Sequence, residues 1–336
     1  MAEPFKKIPG DVLASTNAAC SDAGWTDVHA AWLRRPEKAS LVLKFMDEQM
    51  AAEAVQPEAE RVVIMASGYT GPFVNERAKG PYWMYPKGWQ PKSALERSAI
   101  LMGFFPGLDF SHVEELALRY CVGEGSGVCF GGESESANGG RKLVLPEGMD
   151  SGLIVVPKLE AVARLVKKPP ASWKANNVAM GFLLDVFKEA VPGFHDYTQR
   201  SIGPKYERLL AATEQALLAI GAKTPGDVLV LPAQTGALFA GYSPRSSRGH
   251  MSALVRHFPL HGFGGGCLAL TDPERFANGA LWMDCPGTER APHGDGDFSC
   301  CPCWVFGGRL RFDSYGVGNR SPRCGSASFV SPECSA

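Results

Sequence analysis

Residues 227–231, DVLVL, and the segment PAQTGALFAGYSPRSSRGHMSALVRHF that follows them at 232–258 decide the fold. The first stretch is almost wholly apolar, which is typical of a strand that other elements cover on both faces. The glycines, prolines and polar residues after it predict a loop. Ligands gather in loops beyond the carboxyl ends of sheet strands. The segment therefore predicts both the centre of a sheet and a candidate site.

Other helices and strands are predicted on both sides of this strand. Ser93 and Glu96 have the spacing of a capping box, which predicts a helix that begins after Ser93. Apolar residues at helical spacing predict further helices at 26–54, 111–120, 177–190, 205–220 and 251–258. Short apolar runs predict strands at 152–156, 267–270 and 281–285, and a Gly307-Gly308 turn predicts a hairpin of 303–306 with 309–312.

These elements change in kind along the chain. Residues 1–122 are predicted to be mainly helical, and residues 123–140, GEGSGVCFGGESESANGG, are predicted to form a linker or surface loop. Residues 141–336 are predicted to form an α+β domain with a β-rich, cysteine-containing tail. The order favours an α+β fold with a helix-rich N-terminal part, a mixed sheet in the middle and a β-rich C-terminal region.

Charge and hydropathy limit the classes of partner. The formal net charge is −1, so no overall field attracts nucleic acid, and we do not expect a nucleic-acid partner. No apolar run approaches the ~18 residues of a membrane helix, and the N-terminus lacks the apolar core of a secretory signal. The sequence predicts a cytoplasmic protein with no membrane partner.

The loop after the central strand carries the groups that hold anions. Arginines, hydroxyl groups and a following helix N-terminus suit a phosphate or a carboxylate. We therefore expect a small anionic ligand, or a protein partner, to bind here. The candidate residues are Gln234, Thr235, Ser243, Arg245, Arg248 and His250.

The cysteines offer an alternative function. Seven of the ten lie in the last seventy residues, three of them in the tetrapeptide at 300–303. Cys300 and Cys303 have metal-knuckle spacing, and Cys324 offers a third thiol. These residues predict a zinc-stabilised interaction module. Because a single CxxC pair is half a ligand set, buried thiols without metal remain an open interpretation.

A glycine-rich acidic loop offers a second alternative. His293, Asp295 and Asp297 alternate with glycine and suit a hard cation, so they predict a metal-dependent hydrolase. The same spacing is typical of loops closed by aspartate side chains. The chain has no G-x-x-x-x-G-K-[ST], H-E-x-x-H or G-x-S-x-G sequence, so no motif assigns catalytic residues.

Several stretches resemble those of an uncharacterised family of bacterial proteins from environmental genomes. The matching stretches are YWMYPKGWQPKS, PAQTG followed by SPRSSR, TDPERF, LWMDCPG, GDGDFS and GSASF. They cover most of the chain in scattered blocks, mainly beyond residue 225. The resemblance implies a bacterial origin, and since that family has no assigned activity, it implies no site residues.

Overall fold

The computed structural model describes residues 77–79, 81–122, 142–143, 149, 151–199, 201–254, 256–276 and 280–331. All of these belong to one compact unit, residues 62–336. The predicted helix at 26–54 and the predicted linker at 123–140 lie outside the described residues.

The helices of the described residues are α1 (Ala94–Phe104), α2 (Val113–Leu118), α3 (Leu159–Leu165), α4 (Ala175–Ala190), α5 (Ala211–Lys223), α6 (Pro244–Ala253) and α7 (Gly262–Thr271), with two 3₁₀ turns at Ala237–Phe239 and Pro273–Phe276. The strands are β1 (Cys121–Val122), β2 (Lys142–Leu143), β3 (Leu153–Pro157), β4 (His195–Asp196), β5 (Glu207–Leu209), β6 (Val228–Gln234), β7 (His257–Pro259), β8 (Trp282–Asp284), β9 (Thr288–Arg290), β10 (Cys300–Phe306), β11 (Leu310–Gly316), β12 (Cys324–Ser326) and β13 (Ser328–Val330).

The strands form two main sheets. The smaller has the order β3-β6-β13-β7, and the larger has the order β12-β8-β10-β11-β4, with β9 joining β10 to β5. All seven residues of β6 are buried, as expected of a strand between two neighbours. Helices dominate the earlier part and strands the later part, so the predicted α+β class is confirmed.

Local signals placed several elements correctly. Ser93 caps α1, because its hydroxyl accepts the Glu96 N–H while the Glu96 carboxylate accepts the Ser93 N–H at 2.7 Å. The predicted hairpin is confirmed as β10 and β11, with Cys303 opposite Asp313. Capping and turn residues act over a few positions, so the sequence contains the whole signal.

Three predicted elements were wrong where distant partners decide the structure. The helix at 205–220 begins only at residue 211, because residues 207–209 pair with β9. The strand at 267–270 lies within α7, whose ten residues are all buried, and a short apolar run does not distinguish a buried helix from a strand. The helix at 251–258 instead spans residues 244–253 and is followed by β7.

A buried ion pair ties the N-terminal helix to the rest of the core. Arg97 of α1 donates to Asp272 at the end of α7 at 2.9 Å, and both side chains are at most 1% exposed. The same guanidinium donates to the carbonyls of Ser151 and Leu153 at 3.1 and 2.8 Å. Residues from the predicted helical region and the predicted α+β region therefore meet in one core.

Helix α7 approaches its neighbours closely because glycine occupies most positions of its first turns. A Cβ atom at Gly266 would contact Leu183 and lie 2.6 Å from a ring carbon of Trp304. A Cβ atom at Gly265 would lie 2.5 Å from the sulfur of Cys285. Trp304 is fully buried and donates through its indole N–H to the Gly262 carbonyl at 3.1 Å. The glycines therefore set the distance between α7, α4 and β10.

Gly266→Ala is expected to lower the free energy of unfolding by about 1–3 kcal/mol, because an added methyl group overpacks this contact. The control is Gly249→Ala in α6, where a Cβ would have no atom within 4 Å. Alanine in an open helical position stabilises by up to about 1 kcal/mol. Urea unfolding measures both, and equal stability of the two variants would contradict the packing argument.

Candidate functional site

A pocket of about 320 Å³ lies where α3, α4 and α5 meet the end of the smaller sheet. Its wall is mainly apolar, and it opens beside Leu218, which is 54% exposed. This volume is at the lower end of the range for small-molecule sites. The apolar lining includes Val156, Leu159, Leu209, Leu217 and Leu229.

Three helices begin at this pocket. Lys158, Lys174 and His261 are the N-cap residues of α3, α4 and α7, and all three line the pocket. None of the three has the N-cap hydrogen bond that a Ser, Thr, Asp or Asn side chain would make. The N-terminus of a helix carries positive potential. The first residues of α4 lie in the wall, so this helix directs positive potential towards the cavity. The first N–H of α7, at Gly262, instead donates to the Thr288 hydroxyl at 3.0 Å.

His261 is the most deeply buried polar side chain of the pocket. It is 1% exposed, and neither ring nitrogen has a hydrogen-bond partner among the described residues. Burial lowers the pKa of His261 to about 4. The ring is therefore neutral at pH 7 and offers one donor and one acceptor.

Asn176 is a second buried polar side chain without a partner at this pocket. It is 6% exposed, and its amide nitrogen has no acceptor among the described residues. The neighbouring Asn177 accepts the Lys174 N–H at 3.3 Å and donates to the Glu207 carbonyl at 3.1 Å. A buried donor without a partner costs about 1–3 kcal/mol. Two unpartnered side chains on one pocket therefore mark it as a candidate binding site.

The charged side chains of the pocket differ in their partners. Lys158 donates to the carbonyls of Gly221 and Thr224 at 3.0 and 2.7 Å, which ties it to the C-terminal end of α5. Burial lowers the pKa of Lys158, and Asp227 and Glu160 partly offset this. Lys174 has no ion-pair partner among the described residues, and it is exposed at the pocket.

The first two residues predicted for the anion site lie inside the protein. Gln234 is fully buried, donates to the Ser326 carbonyl at 2.8 Å and accepts the Gly236 N–H at 2.7 Å. Thr235 is also fully buried, and its hydroxyl accepts from Arg275 at 3.0 Å. Both side chains hold backbone segments together.

The other four predicted residues lie on or beside α6. Ser243 caps the helix by accepting the Ser246 N–H at 3.2 Å, and His250 packs edge-on against Tyr242. Arg248 donates to the Pro286 carbonyl at 2.8 Å and to the Glu289 carboxylate at 3.2 Å, whereas Arg245 is exposed. These four residues therefore lie together at α6, whereas Gln234 and Thr235 lie in the core.

The three cysteines predicted as zinc ligands lie on the larger sheet. Cys300 and Cys303 are three positions apart in β10, so their side chains leave opposite faces of the strand. Cys324 lies on β12, and burial raises the pKa of all three thiols. Among the described residues, no group of three or more His, Cys, Asp or Glu side chains is placed to hold a metal ion. The zinc module stays a prediction.

The residues predicted for a metal-dependent hydrolase lie in an exposed turn. The Asp295 carboxylate accepts the Asp297 N–H at 3.0 Å, and the Asp297 carboxylate accepts from Ser299 at 3.0 Å. His293 is exposed on the same turn. These bonds close the loop locally, as aspartate side chains do in many turns.

Sequence reasoning missed Lys158, Lys174, Asn176 and His261 as site residues. Lysine is a rare N-cap because its ammonium group only donates hydrogen bonds. Two helices that begin with lysine were therefore a usable signal, but the boundaries of α3 and α4 had to be known first. Nothing in the sequence shows that α7 begins beside them, 87 positions after Lys174.

Comparisons with protein-family models, curated proteins and solved structures found no match to this chain. The resemblance to bacterial proteins therefore stays a prediction. Within the described residues, no helix has the length and apolar character needed to span a membrane.

Arg248→Ala is expected to lower the free energy of unfolding by about 1.5–3 kcal/mol, because it removes hydrogen bonds from a charged donor and leaves buried acceptors. Arg245→Ala is the matched control on the same helix, and it should change stability by less than about 0.5 kcal/mol. Urea denaturation of both variants measures the difference. A stable Arg248→Ala protein would show that this side chain is free to serve a ligand.

Asp284 makes stability depend on pH, since burial raises its pKa to about 7. The folded state favours the protonated carboxyl. The free energy of unfolding is therefore highest below the unfolded pKa near 4, and it decreases as the pH rises towards 7. Asp284→Asn should therefore gain stability over the wild type between pH 4 and pH 7, by about 1.4 kcal/mol per unit of pKa shift. Exposed Asp295→Asn is the control, and parallel pH profiles for the two variants would refute the assignment.

Proposed function

We propose that the protein binds a small organic anion with an apolar body in the pocket at the start of α4 and α7. The observation that carries this proposal is His261, a buried histidine without a hydrogen-bond partner among the described residues. It lines a cavity that also contains the N-terminal residues of α4. A carboxylate is the simplest group that accepts hydrogen bonds from these donors and carries the charge that a helix N-terminus favours.

The proposed recognition divides the ligand into a head and a body. The carboxylate accepts hydrogen bonds from His261, Asn176 and the first-turn N–H groups of α4, and Lys174 adds a positive charge at the opening. Hydrogen bonds to charged groups contribute about 1.5–3 kcal/mol each. The apolar body displaces water from the leucine-lined wall, which contributes about 25 cal/mol per Å² buried.

The proposal keeps the predicted class of ligand and moves its place. The sequence predicted a small anion at residues 234–250, where Arg248 and Ser243 make hydrogen bonds within the protein. The pocket instead has polar side chains that lack partners. Unsatisfied buried groups favour a ligand that supplies the missing bonds.

Anion binding is expected to take up a proton. A carboxylate next to a buried imidazole favours the imidazolium form, and His261 is neutral at pH 7 without a ligand because burial lowers its pKa to about 4. The bound state should therefore raise this pKa. Affinity should increase as the pH falls below 7, provided that the ligand stays ionised.

The test uses 4-methylpentanoate as the probe and isothermal titration calorimetry as the measurement. Lys174→Met should weaken binding about tenfold, which corresponds to the loss of about 1.4 kcal/mol. Lys188→Met, at the other end of α4, is the matched control and should bind like the wild type. No binding at millimolar probe, or equal weakening by both variants, would overturn the proposal.

A further inference from the structure

The pocket also contains acidic side chains, and one of them has no cation. Glu214 in the first turn of α5 lines the pocket, and it has no ion-pair partner among the described residues. Glu160, the other acidic lining residue, acts on the Lys158 ammonium, which it helps to keep charged. Glu214 is half-buried. Its carboxylate therefore lines the cavity without a cationic partner among the described residues.

The described lining side chains carry balanced charge. Two lysines, Lys158 and Lys174, face two glutamates, Glu160 and Glu214. A ligand that is only an anion would cover Glu214 with apolar groups and remove its water. Burying an unpaired carboxylate is costly, so a simple anion leaves the Glu214 carboxylate unsatisfied.

We propose that the ligand is a zwitterion, an α-amino acid with an apolar side chain. This inference rests on the proposed function, because the carboxylate of the amino acid occupies the anion position at the start of α4. The ammonium group pairs with Glu214. The side chain packs against Leu209, Leu217 and Leu229, which form the apolar wall.

The size and the polarity of the pocket agree with this class of ligand. A volume of about 320 Å³ suits a metabolite rather than a nucleotide or a long acyl chain. An amino acid has its two charged groups at one end and its apolar group at the other. Lys174 and the first residues of α4 line the cavity together with Glu214 and Leu217 of α5, so partners for both charged groups and for the apolar side chain are present.

The experiment compares three ligands that differ by one group. The probes are L-leucine, 4-methylpentanoate, which lacks the ammonium group, and 3-methylbutylamine, which lacks the carboxylate. Calorimetry on the wild-type protein should show that leucine binds at least about tenfold more tightly than either of the others, because a buried ion pair is made only when both charges are present.

A variant tests which side chain binds the ammonium group of the ligand. Glu214→Gln should reduce leucine binding to the level of 4-methylpentanoate and leave the affinity for that acid within about twofold. Glu189→Gln, near the far end of α4, is the control and should bind all three probes like the wild type. Thermal unfolding of both variants verifies that they are folded.

The outcomes separate the two proposals. If 4-methylpentanoate binds as tightly as leucine, the zwitterion is wrong while the anion site stands. If neither compound binds, the proposed function itself fails. If leucine binds preferentially but Glu214→Gln preserves the preference, the ammonium is held elsewhere and the assignment of Glu214 is overturned.

Discussion

The close packing of α7 on Trp304 is the constraint on which the rest of the structure depends. Gly265 and Gly266 let the helix approach β10 and α4 at distances that a side chain would block. All ten residues of α7 are buried, so the helix is held on every side. His261 stands at the first position before this helix. Its location beside α3 and α4 is therefore a direct result of core packing.

Several buried charged groups of the described structure have partners within the protein. Arg97 and Asp272 form a buried pair, and Arg290 lies 3.3 Å from Glu207, where both residues are at most 4% exposed. Arg275 donates to the Thr235 carbonyl at 2.6 Å and to the Leu281 carbonyl at 2.6 Å. Single buried atoms without a hydrogen-bond partner occur elsewhere in the described residues, for example at Arg97 Nη2, Arg290 Nε and Trp282 Nε1. His261 and Asn176 differ because both line one cavity, where a ligand can supply the missing bonds.

Whether an element of the fold could be predicted depends on how far along the chain the residues that determine it lie. The run at 227–231 and the cap formed by Ser93 act through neighbouring residues, and both were predicted correctly. Residues 207–209 belong to a segment that was predicted to be helical, but they form a strand because they pair with β9. That partner lies 79 or more positions along the chain, so a local pattern does not reveal it. The pocket is harder still to predict, because it requires three helix starts, at Lys158, Lys174 and His261, to converge in space. The small anionic ligand expected from the sequence stays a prediction, and the position of the proposed pocket depends on tertiary packing.

Lys158 also has a mechanical consequence. Its ammonium holds the last carbonyls of α5, and it is at the same time the residue from which α3 begins. One side chain thus anchors the C-terminal end of the helix that forms a wall of the pocket. The opposite end of α5 follows β5, a strand of three residues. That strand pairs with β9, and the buried Thr213 hydroxyl, beside Glu214, donates to the Pro259 carbonyl at 3.1 Å. The wall is therefore held at both ends, and a ligand is expected to meet a preformed surface rather than one that closes over it.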